Sequence, residues 1–221
     1  AQSPQFYKQM LVGVYGRVYE IGPVFRAEKH DTVRHLNEYT SIDLEMGPLH
    51  GFTQLMELET AMLAHLMEFL KGEYPQELAL LSVRLPELSG GIGSLTFREA
   101  KLLAAEELGR LPHPSDDLEP EEEKAICRRL ERERGEELVF VTHYPSSKRP
   151  FYAMDAPGPA EGEEGRVTLS FDLLFRGAEI TTGGQRIHSY RRQVEKMERK
   201  GLNPQDFSDY LMAHRYGLPP H

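Results

Sequence analysis

Residues 24–46 read VFRAEKHDTVRHLNEYTSIDLEM: a strand, a polar loop and a returning strand. Phe25 and Ala27 alternate with Arg26 and Glu28, and Ile42, Leu44 and Met46 alternate with Ser41, Asp43 and Glu45. Successive side chains of an extended chain point to opposite faces, so the pattern predicts a hairpin with an apolar face against a core and a polar face left for a ligand. Arg26, Glu28, Asp43 and Glu45 then share the polar side. Three carboxylates around one arginine repel one another across neighbouring strands, and a polyanionic, metal-bound ligand would balance them. The loop adds His30, Arg34 and His35, groups that could lie over a phosphate chain, and Tyr39 offers a ring for stacking. On alternation alone, an ordinary exposed hairpin with a charged loop accounts for the same residues.

Upstream of the hairpin, Ser3 suits an N-cap and Pro4 a first helical position, predicting a helix to about Val14. Gln5 and Lys8 are three apart and share a face of it, with Met10, Leu11 and Val14 on the buried side. A surface Gln and Lys at a helix start is the plainer reading of that pair. Val18 to Ile21 reads as a short strand leading through Gly22-Pro23 into the hairpin. Downstream, residues 52–71 carry Leu55, Met56, Met62, Leu63, Leu66, Met67 and Leu70 at helical spacing, predicting a core helix behind a sheet.

From about 73 to 165 the character shifts. Pro, Gly and charge runs interrupt the pattern, helices are expected near 97–108 and 120–134, and Val139 to Thr142 reads as a strand. The acidic run Glu121 to Glu123 follows Pro120, which suits a helix N-terminus better than a metal site. Residues 157–165 read as a loop. In 166–176, Val167, Leu169, Phe171 and Leu173 alternate with Thr168, Ser170 and Asp172. A turn at Gly177 leads into EITTGGQR, residues 179–186, where a carboxylate, hydroxyls and two glycines let backbone and metal approach closely, as a plain glycine-rich hairpin also would. A helix from about 189 to Gly201 and another from Asn203-Pro204 to Arg215 follow.

With 221 residues and 39% hydrophobic content the chain can bury one good-sized core. The single Cys127 excludes an intramolecular disulfide and a cysteine metal cluster. With no long apolar run, the expectation is a cytoplasmic protein without a membrane span, and a net charge of −9 argues against broad nonspecific binding to nucleic acid.

The segments FRAE (25–28), RHLNE (34–38) and SIDLEM (41–46) together resemble the second signature motif of class II aminoacyl-tRNA synthetases, in the archaeal-type aspartyl/asparaginyl subgroup. The resemblance implies that Arg26 grips the ATP α-phosphate and the amino-acid carboxylate, that Glu28 reads the adenine amino group, and that Arg34 and His35 approach the triphosphate, with Tyr39 stacking on adenine. QSPQFYKQ (2–9) resembles the segment in which a Lys and a Gln of the aspartyl branch hold the amino acid, which falls on Lys8 and Gln5, and Asp43 matches the position that holds the substrate amino group. FDLLFRGAEITTGGQRIH (171–188) resembles the segment in which a Glu and a hydroxyl hold Mg²⁺ on ATP and an Arg binds the aspartate side chain: Glu179, Thr182 and Arg186.

What this implies is an α+β fold with a class II synthetase-type antiparallel sheet flanked by helices and a small inserted α/β region. Residues 1–72 and 166–221 would be two parts of a catalytic domain and 73–165 an insertion between its motifs, with the first motif, the third motif and the anticodon-binding barrel outside this chain. The implied activity is ATP- and Mg²⁺-dependent formation of aspartyl-adenylate and transfer to tRNA(Asp), with tRNA(Asn) left open, by a homodimer. A synthetase-like asparagine synthetase and a non-catalytic adenylate-binding paralogue share the same residues and stay as alternatives.

Overall fold

The computed structural model describes residues 5–27, 36–158 and 165–221. The expectations for Ser3, Pro4, Glu28, His30, Arg34 and His35 lie outside the described residues. The chain divides into two compact units, one of residues 1–50 and 186–221, the other of residues 51–185.

The first unit opens with α1 (Gln5–Tyr15), which ends where Gly16 takes a left-handed φ of 75°. Strands β1 (Arg17–Phe25) and β2 (Glu38–Met46) form an antiparallel ribbon, so β1 is longer than the short strand expected from the sequence. Its register pairs Val18 with Glu45, Glu20 with Asp43 and Val24 with Tyr39, and the N–H of Arg26 continues the ladder to the Asn37 carbonyl at 2.9 Å. Arg26, Asp43 and Glu45 therefore share one face, as the alternation predicts. The opposite face corrects the expectation of a core behind it. Tyr19, Ile21, Phe25, Ile42 and Leu44 are exposed, because the partners that the structure gives this ribbon, among them Lys8 and Arg186, attach by ion pairs to the Asp43 side. After residue 185 the unit resumes with α6 (Tyr190–Arg199), a 3-10 turn (Pro204–Phe207) and α7 (Ser208–Arg215). Gln9, fully buried in α1, donates to the Tyr210 carbonyl of α7 at 2.9 Å, joining segments 201 positions apart.

The second unit contains α2 (Thr53–Glu73), α3 (Pro75–Leu80), β3 (Gly93–Thr96), α4 (Phe97–Leu108), α5 (Pro120–Arg134), β4 (Leu138–Thr142), β5 (Ser170–Phe175) and β6 (Ala178–Gly184). One sheet runs in the order β3-β4-β5-β6, parallel between β3 and β4 and antiparallel after that. It draws strands from both the 73–165 span and the span that follows. Alternation on β4 sends Val139 and Val141 to a core with Ala100 and Ala104 of α4 and Ile126 and Leu130 of α5, and sends Leu138 and Phe140 to a second core with Phe52, Phe171 and Leu173. With cores on both sides, Ser170 to Leu174 are all buried.

Helix α2 packs Leu55, Met56 and Leu63 against the second core but buries no residue fully, and Met62, Leu66 and Phe69 stay exposed, so it is a flanking helix rather than the expected core one. The bounds of α4 and α5 follow local chemistry. Thr96 accepts from the Glu99 N–H while Glu99 accepts from the Thr96 N–H at 2.7 Å, and Gly109 and Gly135 close both helices in the left-handed conformation. Within the acidic run, Glu122 accepts from the Glu119 N–H at 2.9 Å and pairs with the buried Lys101 at 2.8 Å, a capping and packing role.

Candidate functional site

In the first unit the structure joins four charged side chains in two pairs. Lys8 of α1, only 8% exposed, places Nζ 2.6 Å from Asp43 Oδ1. Arg186, just after β6, places Nε 3.0 Å from Glu45 Oε1, and Glu45 is buried. Asp43 and Glu45 are two apart on β2, so their side chains leave the strand on the same face and carry the two cations with them. Lys8 and Arg186 are thus brought to one strand face from positions 178 residues apart, and neither is the solvated surface cation that composition favours. Gln5 is partly buried, one turn before Lys8 in α1. A burial of this kind is costly unless every charge is matched, and here two cations alternate with two carboxylates. Such an arrangement can exchange its internal pairs for those of a zwitterion bearing an additional carboxylate.

Arg26 and Tyr39 occupy the same ribbon face nearer its loop end. The guanidinium carbon lies 5.7 Å from the Tyr39 ring centroid, and Arg26 is solvent-exposed. The arginine thus stands at the solvent beside a flat ring.

The second unit carries the other cluster, around β5 and β6. These strands are joined by a two-residue turn, Arg176-Gly177, with φ values of 50° and 85°, the mirror-image turn whose twist matches a hairpin. Asp172 pairs with Thr182 and Leu173 with Thr181, but Leu174 pairs with Glu179, leaving Ile180 as an extra residue. That bulge puts Glu179 on the same face as Thr182 and Asp172, although a spacing of three in a regular strand would separate them. The two glycines after Thr182 are required by contact: a Cβ on Gly183 would lie 2.5 Å from Phe171 Cζ, and one on Gly184 would lie 2.8 Å from the Leu169 carbonyl oxygen.

Thr182 donates its hydroxyl to Asp172 Oδ1 at 2.6 Å, and Arg149 donates to Asp172 Oδ2 at 2.7 Å and to Thr182 Oγ1 at 3.2 Å. Tyr144, fully buried, shares a hydrogen bond with Asp172. Burial and the Asp172 charge push its phenol well above the ordinary range. Partial desolvation among these groups, then repulsion from Asp172, pushes the Glu179 carboxyl up to about 7, with Arg149 opposing the rise; the residue is nonetheless exposed, and solvent screens these effects. A divalent cation relieves that repulsion, and carboxylate and hydroxyl oxygens are the donors that a hard cation takes, so the residues fit Mg²⁺. Among the described residues no group of three or more His, Cys, Asp or Glu is placed for a metal ion, so a cation held by Glu179 and Thr182 would need oxygens from its ligand.

Sequence reasoning missed three contributors. Glu45 was visible on the ribbon's polar face, but its pairing with Arg186 depends on a contact across 141 positions. Arg149 and Tyr144 lie in an irregular stretch with no periodic signal. Cys127 is buried, and burial raises its thiol, giving it a packing role. No described helix is long and apolar enough to cross a membrane.

A family model described as tRNA synthetases class II (D, K and N) matches residues 1–221. Among curated proteins, the chain is 46% identical over 222 residues to the "Aspartate--tRNA(Asp/Asn) ligase" of Thermus thermophilus and 40% identical to the "Aspartate--tRNA(Asp) ligase" of Pyrococcus abyssi. Each match covers 100% of this chain but 50% and 49% of the relative, so the chain spans about half the length of the curated proteins it matches. Among solved structures, an aspartyl tRNA synthetase from Entamoeba histolytica aligns over 100% of this chain and 45% of its own, with a TM-score of 0.87 and 28% identity.

Proposed function

The chain belongs to the class II tRNA synthetases of the D, K and N group, and from that membership we propose that it is a catalytic segment of an aspartate-tRNA ligase. The observation that carries the reading is the pairing of Lys8 with Asp43 and Arg186 with Glu45 on one strand face. Aspartate presents two carboxylates and an ammonium. Its side-chain carboxylate takes Lys8 and Arg186, and its ammonium takes Asp43, so the internal ion pairs are exchanged for external ones. Asparagine offers a neutral amide in place of the carboxylate and leaves partly buried cations short of a partner, which makes discrimination large.

In the activation step the aspartate α-carboxylate oxygen attacks the α-phosphorus of ATP, the bond to the bridging oxygen breaks, and pyrophosphate leaves with that electron pair. Positioning and charge neutralisation carry such a reaction without a protein nucleophile. Arg26 neutralises charge gathering on the α-phosphate, Tyr39 stacks on the base, and Gln5 helps hold the amino acid. Glu179 and Thr182 are the residues that would hold Mg²⁺, which when bound neutralises the phosphate chain. In the second step a ribose hydroxyl at the 3′ end of tRNA(Asp) attacks the aspartyl carbonyl, the acyl–phosphate bond breaks, and AMP leaves with that electron pair. The reading includes Glu28, Arg34 and His35 as further ATP contacts, a division of the chain at 72/73 and 165/166 around an insertion, and a homodimer working in the cytoplasm.

Pyrophosphate exchange into ATP by the full-length protein, with L-aspartate, L-asparagine or no amino acid, tests the proposal. Exchange that depends on aspartate is expected. Exchange with asparagine at an equal rate, or none with either, overturns it. Charging assays with tRNA(Asp) and tRNA(Asn) then decide the acceptor, and adenylation without charging of either would favour an ammonia-using asparagine synthetase.

A further inference from the structure

Lys8 and Arg186 reach β2 from two distant segments, and both segments are tied to one turn of α7. On the α1 side, the residue after Lys8 is Gln9, 1% exposed, whose Nε2 donates to the Tyr210 carbonyl at 2.9 Å. On the other side, the residue after Arg186 is Ile187, whose carbonyl lies 3.0 Å from His214 Nε2. His214 Nδ1 faces the same Tyr210 carbonyl at 3.3 Å. A neutral imidazole carries a single N–H, so the shorter contact makes Nε2 the donor. The ring is buried and lies against that of Tyr210, with centroids 5.3 Å apart. Gln9 is a poor choice for packing alone. Its Oε1 is buried and takes no hydrogen bond among the described residues. A leucine of similar volume would remove that unpaired oxygen at the loss of one hydrogen bond, an exchange close to neutral for stability.

Resting on the reading of Lys8 and Arg186 as the cations for the aspartate side chain, we propose that Gln9 and His214 are positioning residues, which hold those two cations at a fixed separation by fastening both segments to the turn 210–214 of α7. Gln9 fixes the rotation of α1 and with it the direction of Lys8. Successive helical residues point about 100° apart, so a slip of that rotation swings Nζ away from Asp43. His214 fixes the main chain one residue beyond Arg186, whose own side chain faces Glu45. A carboxylate held between two cations depends on both distances at once. A looser anchor on either side therefore weakens the hold on aspartate and leaves the proposed nucleotide contact of Arg26 alone.

Pyrophosphate exchange by the full-length protein, with KM measured separately for aspartate and ATP, reads this together with urea midpoints. Gln9→Leu should raise KM for aspartate by about tenfold or more, with kcat and KM for ATP within about twofold of native. Its urea midpoint should be native or higher, since the change also removes the unpaired oxygen. A lower midpoint that tracks the loss of aspartate use, or an equal rise in both KM values, overturns the proposal, because a merely structural glutamine would give either. His214→Phe keeps a ring against Tyr210 without a donor and should raise KM for aspartate in the same way. His214→Gln, whose amide can stand where Nε2 does, should bring it back towards native. A native KM for aspartate in folded Gln9→Leu or His214→Phe protein refutes the positioning role. Combined with Lys8→Met, Gln9→Leu should add less than about twofold, since the lysine it acts through is gone, and a full second loss would also refute it. If Lys8→Met by itself keeps the native KM for aspartate, the reading of Lys8 falls and takes this inference with it. If Lys8→Met weakens aspartate use and Gln9→Leu does not, only the positioning role falls.

Discussion

Replacing Lys8 by Met removes one of the two cations assigned to the aspartate side chain while keeping an unbranched stem of similar reach. The Lys8 and Asp43 side chains are 11% and 17% exposed and 2.6 Å apart. Removing one member of a fully buried pair costs about 3–5 kcal/mol, and the slight exposure of Asp43 places this case near the lower end, at about 3 kcal/mol. If that loss falls on the transition state for adenylation, kcat/KM for aspartate drops by roughly a hundredfold. Asparagine makes no comparable demand on Lys8, so the preference for aspartate should shrink by a similar factor. Arg26 and Tyr39, the residues proposed to meet the nucleotide, are untouched, and ATP affinity should stay within about twofold. The assay is pyrophosphate exchange at varied aspartate and asparagine, beside an equilibrium measurement of ATP binding. Native kcat/KM for aspartate in the variant would refute the argument. A fall in ATP affinity as large as the fall in aspartate use would refute it too, since the lysine would then be a general support and not a specificity group.

The Glu179 carboxyl, raised from its ordinary 4.5 to about 7, predicts that Mn²⁺ retention with nucleotide climbs as pH rises towards 7 and levels off above it, and that Glu179→Gln flattens the profile. Its effect on folding has the opposite sign. A carboxyl that binds its proton more tightly when folded contributes stability that is fully present below pH 4.5 and lost as pH rises through about 7, so urea titrations at pH 5 and pH 8 should differ less in the Gln variant than in the native protein. Gly183→Ala pushes a methyl group to within 2.5 Å of Phe171 Cζ, whose ring is wedged edge-on against Phe140. Overpacking of this sort should cost about 1–3 kcal/mol, read as a lower urea midpoint with an unchanged slope.

How much of this was legible in the sequence follows the range of each interaction. Helices α4 and α5 coincide with the spans read from the sequence, since Thr96, Glu99, Gly109 and Gly135 act within a turn of the ends they fix. The shared face of Arg26, Asp43 and Glu45 was equally legible, because strand parity is local. The exposure of Tyr19, Ile21 and Leu44 was not, since an alternating strand announces two faces but not what lies against either. Strand β3 was missed for a related reason. Its four residues pair in parallel with β4, about 46 positions away, and no short-range pattern reports that. At the candidate sites, Lys8, Asp43 and Arg186 were singled out by resemblance to a family, while alternation alone favoured a solvated lysine. The burial and pairing of Lys8 and Arg186 come from tertiary structure. Arg149 carried no sequence signal, because its partners Asp172 and Thr182 lie 23 and 33 positions further on.

The unpaired Ile180 acts as a phase shift in a two-letter code. On its turn side, β6 counts faces in one parity, and beyond it in the other. Glu179 and Thr182 meet on one face because exactly one count is skipped between them, so the spacing of that pair is not interchangeable with any regular strand spacing. Grafting the same two residues at the same interval into an unbulged hairpin would place them on opposite sides. A search of other proteins for alternating donors would pass this one by, and the feature to look for is the irregularity itself.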